Sequence, residues 1–143
     1  MLHLPPPRFQ AASGTPVCYL APTGRLLYSA IFLLAGASHF NPAWIGYAAA
    51  QGVPLPSIAV PLSGMIAFVG GLSIALGYKA RWGAWLLVLF LVPVTLMMHR
   101  FWGLSDPQAA QLQQAMFMKN LALLGAALLI AVVGSGPRSL KAA

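Results

Sequence analysis

The chain has 143 residues, 59% of them hydrophobic and only 6% charged, with a formal net charge of +7. A soluble domain carries about 25% charged residues to keep its surface in water, so a soluble globular fold is excluded and lipid is the expected solvent over most of the surface. Nucleic-acid binding is excluded with it, because the basic residues stand singly at the ends of apolar runs rather than clustered on a polar face.

Residues 1–22 contain Pro5-Pro6-Pro7 and are predicted to form an extended or disordered, Pro-rich cytoplasmic arm. Cys18 is the only cysteine, which excludes an internal disulfide and a CxxC relay. No apolar run followed by a small-residue cleavage site is visible, so the first span itself is expected to direct insertion. That span is predicted from about Thr23 to Phe40. Asn41-Pro42 then ends it and starts a short helix, with Asn41 as N-cap and Pro42 in the first helical position. The segment 43–51, with Trp44 and Tyr47, is expected to lie at the headgroup level, where amphipathic rings are favoured.

A second span is predicted over about 57–76, ending at Gly77, with Pro61 in its first turn. Ala67, Gly70 and Gly71 give it a smooth face for close helix contact. The third span runs from about Trp82 to Arg100 and carries Pro93, which is expected to kink it. Asp106-Pro107 repeats the cap-plus-proline signal, with Asp106 as N-cap, and opens a fourth span that ends at Gly134-Ser135-Gly136-Pro137. The fold expected is therefore all-α: an integral membrane four-helix bundle over 23–134, with a short interfacial helix between spans one and two and a tail at 135–143.

If the spans alternate, Arg8, Arg25, Lys79, Arg81, Arg138 and Lys141 fall on one side and only Arg100 lies in an opposite loop. The positive-inside rule then places both termini in the cytoplasm, in a membrane of the bacterial inner type.

Polar side chains inside lipid are costly and mark function. His39 lies about 21 Å from the cytoplasmic boundary at ~1.5 Å per residue, Lys119 lies at about the same depth, and His99 at roughly 25 Å. Against a core of about 30 Å these residues share a level in the outer half of the membrane. Arg100, Trp102, Asn120 and a Gln-rich stretch (Gln108, Gln111, Gln113, Gln114) cluster near it. A polar pocket open to the outer face is predicted, roofed by 41–56 and 101–107 and floored by Met97, Met98, Met116 and Met118.

The same residues resemble those of a family. Gly24-Arg25-Leu26-Leu27 with Gly36-x-x-His39-Phe40 is similar to the first helix of the DoxX family, and Gly64, Gly70-Gly71 and Gly77 to its second. Thr95-x-x-x-His99-x-Phe101-Trp102, Asp106 and Lys119-Asn120-Leu121-Ala122-Leu123-Leu124-Gly125 resemble its third and fourth. The resemblance covers about residues 23–134. It implies a small four-helix membrane protein of the kind that gave the family its name, a membrane subunit of thiosulfate:quinone oxidoreductase, with relatives in redox and thiol-stress complexes. The chain departs from the family pattern at Phe68-Val69, where an acidic residue often precedes the paired glycines.

Lys119 in lipid must snorkel to the headgroups, pair, or meet an anionic or carbonyl group. Asp106 lies about 20 Å of helical rise away and is better used as a cap. Arg100 and Trp102 read either as an interfacial anchor or as part of the pocket. Arg100, Lys119 and the imidazoles together suit a head group that gains negative charge, a quinone or a small oxyanion, with His39 or His99 relaying protons. Nothing fixes the two histidines as a haem pair, and no carboxylate or thiol accompanies them to hold a metal. No cofactor is built into the sequence, so redox chemistry would need a bound quinone or a partner.

The expected function is an accessory subunit of a redox or electron-transfer complex, associated with other membrane subunits or with copies of itself. The rival readings are a purely structural subunit and, last, a small-solute transporter.

Overall fold

A computed structural model describes residues 17–140; Arg8, the proline run at 5–7 and Lys141 lie outside the described residues. Among the described residues the chain forms five helices and no strand: α1 (Val17–Ser38), α2 (Pro42–Ala50), α3 (Pro56–Leu76), α4 (Ala80–Met98) and α5 (Pro107–Val133). Four of them, α1, α3, α4 and α5, are long and apolar enough to cross a bilayer. Exposed leucine, valine and tryptophan side chains cover their outward faces, a surface that only lipid can solvate. The protein is the multi-pass helical membrane bundle its composition demands.

Helix α1 begins earlier than expected. Val17 to Pro22, expected as the last part of the arm, belong to the helix. Pro22 and Pro61 each lie five residues past the first residue of their helix. A proline there removes one hydrogen bond near the helix start, with the rest of the span free to propagate. Pro61 is therefore in the second turn of α3 and not the first. Cys18 is buried in the extra turn of α1.

α3 is the central helix, packed on α1 along one side and on α4 along the other, while α5 packs on α4. Glycines set both approaches. A Cβ on Gly36 would stand 2.7 Å from the Gly64 carbonyl oxygen, and a Cβ on Gly70 would stand 2.9 Å from that of Gly83. These backbones touch in the way small residues permit between helices in lipid. Ala67, Gly70 and Gly71 are all buried, as their spacing suggested.

The core between the glycine contacts is aromatic. Tyr28 packs on Phe32 at 5.2 Å between ring centroids, Phe32 on Phe90 at 6.3 Å, and Phe90 on His39 at 5.8 Å. The Tyr28 hydroxyl donates to the Leu123 carbonyl at 2.9 Å, tying α1 to α5.

The end of the bundle where α1 starts and α5 finishes is closed by residues 134–140. Arg25, 8% exposed, reaches from α1 and donates to the carbonyls of Ser135, Pro137 and Arg138. The Leu140 N–H donates to the Leu76 carbonyl at 3.3 Å. Gly77 makes this fit possible: its φ is +67°, and a Cβ there would stand 2.7 Å from the Arg25 guanidinium and 2.6 Å from the Ser139 Cβ. The α5 C-terminus carries the negative end of its helix dipole, which favours a buried cation at that point.

At the opposite, distal end both predicted caps form. The Asn41 carboxamide accepts from the Ala43 N–H at 3.0 Å, and the Asp106 carboxylate accepts from the Gln108 and Ala109 N–H groups at 3.2 Å. Each cap is followed by proline at the helix start.

Candidate ligand cavity

A cavity of about 500 Å³ occupies the distal half of the bundle. Its walls come from α1 (Ile31, Phe32, Ala35, Ser38, His39), α3 (Ala59, Val60, Ser63), α4 (Phe90 to Met98 in part) and α5 (Met116, Lys119, Asn120, Leu123). Trp44, Tyr47 and Ala48 of α2, with Val53 and Pro54, roof it. The spacing Met116, Lys119, Asn120, Leu123 is the i, i+3, i+4, i+7 pattern of one helix face, which is why a single side of α5 supplies all of its contribution.

His39 ends α1 in a fixed pose. Its Nδ1 bonds the Ala35 carbonyl one turn back, and a carbonyl only accepts, so Nδ1 carries the proton. Phe90 packs edge-on against the ring, and Gly64 leaves room beneath it: a Cβ at 64 would stand 2.6 Å from the His39 Cβ. His99 is the C-cap residue of α4 rather than part of the helix. Its Nδ1 bonds Gln113 Oε1 at 2.9 Å, and Gln113 Nε2 donates to the Tyr47 hydroxyl at 3.3 Å, so α2, α4 and α5 are joined over the cavity.

Asn120 is 5% exposed and lines the cavity. No hydrogen bond joins its side-chain amide to any of the described residues, and the amide opens onto the cavity. Lys119, its neighbour, also lines the cavity but is exposed, as a lysine at the rim of an apolar chamber should be. The chain's single acid, Asp106, caps α5, so no carboxylate is available to Lys119.

Four of the residues singled out in the sequence therefore share one cavity: His39, His99, Lys119 and Asn120. Arg100 and Trp102 do not line it. Arg100 donates to the Gln51 carbonyl at 2.9 Å, stapling the α4–α5 loop to the α2–α3 loop. Trp102 packs in an exposed aromatic cluster with Phe101 and Phe117. The 101–107 loop supplies no wall, so α2 and 53–54 make the roof alone. Met97, Met98 and Met116 line the chamber; Met118 is 55% exposed on the outer side of α5.

Sequence reading missed Tyr47 and Gln113 as the partners that hold His99. The seven-residue step from Gln113 to Asn120 carried that signal. It also took Arg25 for a flanking cation, where the structure buries it against the C-terminal turn.

The family model described as DoxX matches residues 20–100. Inner membrane protein YqjF of Escherichia coli (strain K12) is 30% identical over 120 residues, 81% of this chain and 85% of its own length. Inner membrane protein YphA of the same organism is 28% identical over 96 residues, 67% of this chain and 68% of its own. No solved structure matches the chain. The matched segment holds His39, His99 and Arg100 and stops before Trp102, Lys119 and Asn120. It covers more than half of the chain, and with YqjF at that identity and coverage the conclusion follows that this protein belongs to the DoxX family.

Proposed function

We propose that the protein binds a quinone or similar amphiphile in its distal cavity and serves as an accessory membrane subunit of a redox or electron-transfer complex. The observation that carries this reading is the lining itself. Polar groups from α1, α5 and the end of α4 (His39, Lys119, Asn120, His99) border a chamber whose other walls are almost wholly apolar. A few convergent polar groups in an apolar cavity is the usual form of a small-molecule site, and a chamber within a bilayer is supplied from the lipid phase. The sequence contains no CxxC pair and no nucleotide-binding loop, so electrons would come from the amphiphile or from a partner subunit. The basic residues Arg25, Lys79, Arg81 and Arg138 at the end where α1 starts and α5 finishes support a cytoplasmic placement for that end. The cavity then lies toward the outer leaflet of an inner membrane, the location that the names of both relatives give.

The test is purification in mild detergent followed by native mass spectrometry of the wild type and of Lys119→Met. The wild type is expected to retain a bound amphiphile that the variant loses, with folding and assembly unchanged. No amphiphile on the wild type favours a purely structural subunit, and equal occupancy in both removes Lys119 from the binding of the head group. The exposed length of α5, of whose apolar stretch only 11% is buried, is the feature that suits that second reading.

A further inference from the structure

The orphaned amide of Asn120 and the fixed ring of His39 narrow the chemistry of the head group. Asn120 is almost fully buried, opens onto the cavity and has no partner among the described residues. It offers one acceptor and two donor positions to whatever lies beside it. Lys119 adds an ammonium, which only donates.

His39 adds the opposite. With Nδ1–H committed to the Ala35 carbonyl, a neutral imidazole presents Nε2 as a lone pair. The ring cannot readily turn away, because Phe90 packs against it and the Gly64 backbone lies under its Cβ. The cavity thus faces its occupant with an acceptor that needs an O–H or N–H and with donors that need an oxygen.

A ketone-only head answers the donors and sets its own lone pairs against Nε2. An ether does the same. A hydroxyl answers both, since it gives its proton to Nε2 and accepts on its oxygen. The chamber, of about 500 Å³, falls in the range that holds one drug-sized molecule, room for a single ring and one alkyl chain against Ile31, Leu91, Val94 and Leu123.

We infer that the cavity selects amphiphiles with a hydroxylated head, a phenol or quinol, over the matching ether or ketone, with His39 accepting the hydroxyl proton in a hydrogen bond and Asn120 and Lys119 holding the oxygen side. This rests on the reading that the cavity binds an amphiphile, and the experiment separates the two.

4-Nonylphenol and its methyl ether, 4-nonylanisole, differ only at the oxygen. Each is titrated into the full-length protein in detergent micelles, with empty micelles as the reference, and binding is followed by thermal shift and native mass spectrometry. The phenol is expected to bind the wild type about tenfold more tightly or better, the effect of one buried hydrogen-bonding group left unmet in the ether complex. His39→Phe should abolish that preference, and Asn120→Leu should weaken the phenol and the ether alike while leaving the preference between them in place, since both set an oxygen against the amide. Equal binding of phenol and ether to the wild type overturns the hydroxyl selectivity and leaves the amphiphile site standing. Binding of neither above empty micelles removes the amphiphile site and the selectivity together. The wild-type comparison requires no variant to fold.

Discussion

Asn120 separates a ligand site from a packing module more sharply than any other residue. An amide needed for stability would be hydrogen-bonded to the protein, and this one is not. Asn120→Leu is therefore expected to leave the stability of the ligand-free protein unchanged, since it removes no hydrogen bond within the protein. Detergent thermal unfolding checks this, with an unchanged midpoint expected in the same variant that weakens binding. Gly64 makes the complementary case. Gly64→Ala places a methyl group against His39 Cβ and the Gly36 carbonyl at 2.6 and 2.8 Å, an overpacking that costs about 1–3 kcal/mol. A lowered midpoint and weakened binding should appear together. At this scale the sequence was legible where depth alone decided the matter: His39, Lys119 and Asn120 fall at one level because helical rise puts them there. It was not legible for Arg100 and Trp102, whose level is right but whose loop turns them to Gln51 and to Phe101 and Phe117 instead.

Among the elements, α2 and the C-terminal turn carry the less obvious roles. α2 packs on α3 and is held over the cavity by the Tyr47–Gln113–His99 chain and by Arg100 on the Gln51 carbonyl. Cap signals at Asn41-Pro42 and Asp106-Pro107 announced the starts of α2 and α5, because an Asx oxygen can take the first free N–H groups while the following proline gives up no helical bond. Asp106→Ala should cost about 1 kcal/mol through the loss of two N–H acceptors at the head of α5, readable as a lowered unfolding midpoint. The start of α1 was illegible for the opposite reason: Pro22 reads as a breaker, yet near a helix start it removes only one bond. The tail was illegible too, since nothing local in 134–140 announces that Arg25 will bind its carbonyls from a helix more than a hundred residues earlier in the chain. Arg25→Met should release that turn. Hydrogen exchange at the Leu140 amide, which donates to Leu76, is expected to speed up while the distal cavity keeps its ligand.

For the whole molecule, one division of labour runs along the bundle axis. The end where α1 starts and α5 finishes is sealed by the Gly70–Gly83 contact and by Arg25 in its cradle of carbonyls. The distal end is held open as a chamber by the aromatic column on one side and α2 above. Composition alone fixed the solvent, and the spacing of glycines and caps fixed the helices. That polar residues of separate spans would share one chamber was an inference from depth, and the chamber exists. The central claim is that an amphiphile occupies it. Photolabelling with a diazirine-bearing alkylphenol, followed by peptide mapping, tests this most directly. Labels are expected on cavity-facing Met97, Met98, Met116 and Leu123, competed away by unlabelled phenol. Labels confined to lipid-facing positions such as Leu129 and Val132, without competition, would contradict it.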